Sequence, residues 1–283
     1  MDAAKALAGS LRPESPSLAE PLRRSTLDDG KAALVRLTGS RTPTMRLVCL
    51  PFAGAGANAY RPWAAFMPPE LELVGCVPPG RERRIREAPL TRLQPLVMQL
   101  AASLRQLGDL PYALFGHSMG ALLGFEVIRE LRRTGGALPQ HLFVSGRAAP
   151  HIPMRRKPIS GLPTPLLLEE LRRMNGTPEA VLREPELLQL LLPILRADLE
   201  LLETSHYTPE APLDCAITSF IGSDDAFVPI DDAAGWQEHT SAAFALKVFD
   251  GDHFFLYPQQ ADLLDSLLRG LGFVPRESAA SRE

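Results

Sequence analysis

A short apolar run, Pro111-Tyr112-Ala113-Leu114-Phe115, ends in Gly116-His117-Ser118-Met119-Gly120 and passes directly into the helical pattern ALLGFEVIRELRR. A G-x-S-x-G between strand and helix demands a reversal so sharp that the serine backbone is strained. Side chains two positions to either side of the serine would meet the adjoining strand and helix, and glycine at 116 and 120 removes them. The helix that follows offers its first N–H groups to negative charge developing beside Ser118. A chance match in a glycine-rich turn would lack the flanking elements, and both are present here. The chain is thereby confined to architectures in which helices pack back onto a sheet.

The rest of the chain repeats that alternation. Apolar or β-branched runs at 33–38, 45–51, 71–77, 111–116, 141–146, 216–222 and 244–249 read as strands. Helical patterns fall at 56–67, 92–107, 119–134, 166–174, 184–203, 231–239 and 259–270. Strands apolar almost throughout, each followed by a helix, predict an α/β fold with a mainly parallel central sheet covered on both faces. One region departs from this. No strand candidate lies between 146 and 216, far more chain than a plain crossover needs. Two Leu-rich stretches occupy it, LLLEELRRM and ELLQLLLPILRADLELLE; in the second, Leu187, Leu191, Ile194, Leu195, Leu199 and Leu202 share one broad helical face. A helical lid insertion over the active site, about 155–208, is expected. Residues 1–30 read as a loosely held leader, 31–275 as one domain, and 276–283 as a tail.

Composition excludes several classes. Thirty basic and 33 acidic residues leave a net charge of −3, so no global field recruits nucleic acid. Only four of the basic residues are lysine, a bias that fits a GC-rich genome better than a binding surface. Cys49, Cys76 and Cys215 are odd in number and far apart, which disfavours a disulfide framework or a zinc site and fits a reducing compartment. No basic start followed by an apolar run marks a secretory signal, and no stretch of about 18 apolar residues spans a membrane. A cytoplasmic monomer is expected.

A serine hydroxyl becomes a useful nucleophile only when a base takes its proton and an acid orients that base. Of six histidines, His117 adjoins the serine and points away from it, while His141, His151, His206 and His239 have no supporting motif. His253, in Gly251-Asp252-His253-Phe254-Phe255 just after the last strand, has the right chain position. The acid should follow the penultimate strand, in Ile221-Gly222-Ser223-Asp224-Asp225-Ala226-Phe227. Either carboxylate there would serve, with Asp231 and Asp232 as more distant options. Ser118, then the acid, then His253 is the chain order of α/β-hydrolases. An oxyanion hole needs two backbone N–H donors. Met119 supplies one, and the loop Pro51-Phe52-Ala53-Gly54-Ala55-Gly56 is the candidate for the other; no G-K-[ST] follows, so it is not a phosphate-binding P-loop.

With these residues in view, the chain resembles the stand-alone type II thioesterases of polyketide and non-ribosomal peptide synthesis. The likeness runs from about Leu47 to Gly270, through LPFAGAGANAYRPWAAF, PPGRERRIREAP, FGHSMGALLGFEV, VSGRAAP, IGSDDAFV and GDHFF. It implies Asp225 as the acid, Ala53 and Met119 as oxyanion donors, and 160–205 as a mobile lid. It further implies hydrolysis of acyl or aminoacyl groups from the phosphopantetheine arm of acyl carrier or peptidyl carrier domains, without cofactor or metal. One departure is Asp252, where the family often has a second glycine.

The triad alone would equally suit a carboxylesterase, lipase or perhydrolase, and a hydrolase-like binding protein is a third reading. Two short motifs are set aside. Asp265-Ser266-Leu267 resembles a phosphopantetheine attachment site but lies within the last helix, and Asn175-Gly176-Thr177 is a glycosylation sequon without a secretory signal. The segment Arg81–Arg86 admits three readings, one of which, suggested by the family likeness of its PGRERR, is a structural role for Arg81 or Arg84 near the substrate entrance. Five arginines against two glutamates between 81 and 92 would suit an acidic carrier domain, or they would pair locally with Glu82 and Glu87.

Overall fold

The computed structural model describes residues 33–39 and 42–274, so the expected leader and tail lie outside the described residues. All seven expected strands form one sheet: β1 (Leu34–Arg36), β2 (Met45–Leu50), β3 (Leu71–Cys76), β4 (Tyr112–His117), β5 (His141–Ser145), β6 (Ala216–Gly222) and β7 (Phe244–Phe249). Their order is β1-β3-β2-β4-β5-β6-β7. β1 runs antiparallel to β3, and every other neighbouring pair is parallel.

From β2 to β6 both faces of the sheet are buried, which explains why these strands are apolar without alternation. Leu114 and Val48 face one core, with Leu96, Leu100, Leu123 and Val127 from α1 (Leu93–Arg105) and α2 (Met119–Arg133). Their chain neighbours Ala113, Phe115, Leu47 and Cys49 face the other, with Tyr60, Trp63, Phe255 and Leu263. α7 (Gln260–Gly270) closes that second face and holds the Asp265-Ser266-Leu267 triplet. Full burial of each large apolar side chain contributes on the order of 1.5–3 kcal/mol. The three cysteines are free and buried.

Two helical expectations need correction. Residues 57–66 form 3-10 turns in place of an α-helix, with Pro62 inside, whose missing N–H cannot join an α-helical ladder. The expected helix 231–239 is a short α6 (Ile230–Ala234) followed by 3-10 turns from Gly235 to His239.

Between β5 and β6 stand α3 (Thr164–Met174), α4 (Glu179–Leu182) and α5 (Pro185–Glu203). Ile159, Leu167, Leu171, Leu182, Leu195 and Leu199 give this segment a small core of its own. The apolar stripe expected along α5 is buried only in its second half. Leu195, Leu199 and Leu202 are covered, whereas Leu187 is 45% exposed and the neighbouring Leu190 61%.

Candidate active site

Ser118 sits between β4 and α2 with φ +52 and ψ −105. A conformation that sparse costs about 1–3 kcal/mol and persists only where surroundings enforce it. The enforcement is visible in the backbone. The Ser118 N–H donates to Ser145 O at 2.7 Å. A Cβ at Gly116 would lie 2.1 Å from Gly120 O, and one at Gly120 would lie 2.1 Å from Leu50 O. The elbow is therefore closed to any larger residue at either position.

His253 follows β7 and places Nδ1 2.7 Å from Asp225 Oδ2. The other oxygen of Asp225 accepts from the N–H groups of Phe227 (2.9 Å) and Val228 (3.1 Å). Asp224 faces solvent, where it accepts from Ser223 Oγ, and Asp232 is paired with Arg155. Asp252, the second carboxylate beside the histidine, is also engaged elsewhere: it accepts from Phe254 N and from Asn175 Nδ2 at the end of α3.

His117 points inward, with Nδ1 2.9 Å from Ser145 Oγ. Burial, and secondarily His253, pushes its pKa well below the usual histidine range, so it remains neutral. His141 stacks on Phe143 and meets Thr218, and His151 lies 2.7 Å from His239.

Ser118 and His253 open onto a cavity of about 650 Å³ that Arg147, Arg156, Met174 and Phe227 also line. Burial, then the neighbouring Arg156, lowers the Arg147 pKa to about 10, and Arg156 lies over the Phe227 ring. A second, narrow chamber of about 30 Å³ meets the same pair from the side of Phe52, Ala53, Leu171 and Leu195. Met119 is the first residue of α2, and the Ala53 N–H has no hydrogen-bond partner among the described residues.

The structure also brings in residues that the sequence reading did not assign. Asp198 of α5 accepts from the Gly54 N–H at 2.7 Å and forms a two-pronged ion pair with Arg81, at 2.7 and 2.8 Å. The available signal is a carboxylate on the otherwise apolar stripe of that helix, at i+3 from Leu195 and i−4 from Leu202. Arg84 is buried as well, bonded to Glu87 and to Val77 O. Arg81 and Arg84 are therefore held inside the protein, which leaves Arg83 and Arg86 as the exposed arginines of that turn.

A family model for the thioesterase domain matches residues 45–271. The gramicidin S biosynthesis protein GrsT of Aneurinibacillus migulanus is 41% identical, over 81% of this chain and 90% of that protein. The linear gramicidin dehydrogenase LgrE of Brevibacillus parabrevis is 40% identical, over 75% of this chain and 82% of its own length. Among solved structures, the type II thioesterase BorB from the borrelidin biosynthetic cluster superposes with a TM-score of 0.79 at 36% identity, covering 85% of this chain and 98% of BorB. The chain belongs to the thioesterase family, hydrolases of thioesters on the α/β-hydrolase fold.

Proposed function

We propose that the chain is a stand-alone editing thioesterase that clears acyl or aminoacyl groups from the phosphopantetheine arm of carrier domains in non-ribosomal peptide or polyketide synthesis. The observation that carries this is one cavity shared by a strained Ser118 and a His253 whose far nitrogen meets Asp225. Asp225 fixes the tautomer that leaves Nε2 free to accept a proton. Ser118 attacks the thioester carbonyl as its proton passes to His253. The tetrahedral oxyanion is met by the N–H groups of Ala53 and Met119. Collapse breaks the carbon–sulfur bond, and the imidazolium returns the proton to the departing thiol. Water deprotonated by His253 then releases the acid and restores Ser118. The helical segment, about 155–208, serves as the lid, and three buried free thiols suit a reducing cytoplasm.

The name of LgrE raises an oxidoreductase reading. Gly54-Ala55-Gly56-Ala57-Asn58-Ala59 does follow a strand with dinucleotide-like spacing. Its Gly54 N–H, however, already donates to the Asp198 carboxylate and is not free for a pyrophosphate, and 3-10 turns replace the α-helix whose N-terminus would bind it. A carboxylesterase or perhydrolase differs in substrate alone. Initial rates on acyl-loaded carrier domains and on oxygen esters with the same acyl group separate these readings. Preference for the carrier thioester supports the proposal, and preference for the ester overturns it.

A further inference from the structure

Residues 52–55 form a turn closed by the Ala55 N–H on Phe52 O at 3.0 Å, with Gly54 at φ +82. Positive φ at the third residue is the mark of a type II turn, in which the central peptide is flipped relative to the commoner type I. That central peptide carries the Gly54 N–H, and Asp198 Oδ2 accepts from it at 2.7 Å. On the far side, Arg81 donates to Ala55 O at 2.8 Å and grips both oxygens of Asp198. Phe52 O, Gly54 N and Ala55 O are thus all engaged, while the Ala53 N–H is left without a partner among the described residues. Leu195, one turn before Asp198 on α5, packs on the same loop: a Cβ at Gly54 would lie 2.6 Å from its Cδ2.

We propose that Asp198 is a positioning residue for catalysis: from α5 it locks the 52–55 turn in the conformation that aims the Ala53 N–H at the reacting carbonyl oxygen. The inference rests on the assignment of Ala53 as an oxyanion donor. A bare carboxylate beside a developing oxyanion would oppose it, and the paired Arg81 cancels that charge while holding the carboxylate in register. Both groups are buried, so the pair is shielded from solvent screening. The carboxylate orients the turn without touching substrate.

Removing one partner would strand the other charge in the interior, so a single variant that loses activity would not separate positioning from folding. Two variants do: Asp198→Asn, and the paired apolar replacement Arg81→Met/Asp198→Leu, which removes both charges together. Each is followed by melting temperature, by kcat and KM on p-nitrophenyl butyrate, and by the Kd of butaneboronic acid, which forms a tetrahedral adduct with the serine. These probes need no carrier domain, so their outcome is independent of whether carrier thioesters are the natural substrate. The expected result is a melting temperature for the paired variant above that of Asp198→Asn. In the paired variant, which leaves the Gly54 N–H without its acceptor, kcat falls and boronate Kd rises by about 10²-fold, the scale of a misaligned oxyanion donor, with KM changed little. A paired variant that regains wild-type kcat and boronate affinity would overturn the proposal and reduce the ion pair to a structural brace.

Discussion

At Asp225 one carboxylate oxygen accepts two backbone N–H bonds while the other meets His253 Nδ1. The group is thereby oriented before any substrate arrives. Asp224, one residue earlier, faces solvent, and its carboxylate accepts from Ser223 Oγ within its own loop. Asp225→Asn would present the imidazole with a donor where an acceptor is needed and favour the wrong tautomer. We expect kcat to fall by roughly 10³–10⁴, whereas Asp224→Asn stays within a few-fold of wild type. Steady-state kinetics of the two variants on one thioester check this, and a larger loss at Asp224 would refute the assignment. Nothing in the local sequence separates these two carboxylates, because the turn that points one inward is set by its neighbours in space. Asp198 was hidden for a related reason. One of four acids in a Leu-rich helix looks like another solvated position, and its partner Arg81 lies far away in sequence.

The elements show why most of the fold was legible. Seven strands could be read because each is a short, mainly apolar run bounded by polar or glycine-containing segments, and β2 to β6 are buried along nearly their whole length. The elbow could be read because its glycines are imposed by sterics that local sequence reports. Residues 57–66 misled because apolar spacing does not distinguish 3-10 turns from an α-helix, although Pro62 is a clue. The front of α5 misled because periodicity shows an apolar face but not whether anything covers it.

The turn Glu82–Arg84 belongs to this scale too. With Arg81 and Arg84 buried, Arg83 and Arg86 carry whatever attraction this segment offers an acidic carrier domain. Replacing both with Glu should raise KM for an acyl-carrier substrate several-fold and leave a small acyl-N-acetylcysteamine thioester little changed. Complementary charge acts mainly on association and is screened by salt, so added salt should weaken wild type more than the variant. Equal effects on both substrates would remove this turn from the docking surface.

At the scale of the whole molecule, histidines kept neutral in the interior set an acid limit to stability. Burial lowers His141 from its ordinary 6.5 to about 4. His239 is lowered likewise to about 4, by burial and then by His151 beside it. Each therefore binds a proton more readily in the unfolded chain, and between those values the unfolded state gains protons that the fold excludes. Their contribution is fully present above about pH 6.5 and is lost as pH falls toward 4. The melting temperature should decline across that window. His141→Gln should make the decline shallower, and an unchanged slope would contradict this origin.

All these features converge on one serine held in a strained turn where a histidine and a cavity meet. The most direct test is the rate at which wild type and Ser118→Ala release the acyl group from an acyl-loaded carrier domain, with matched melting temperatures showing that both are folded. The account predicts rapid release of free acid by wild type and a loss of roughly 10⁴-fold or more in the variant, as expected when one member of a catalytic unit is removed. Release by Ser118→Ala at close to the wild-type rate would contradict it.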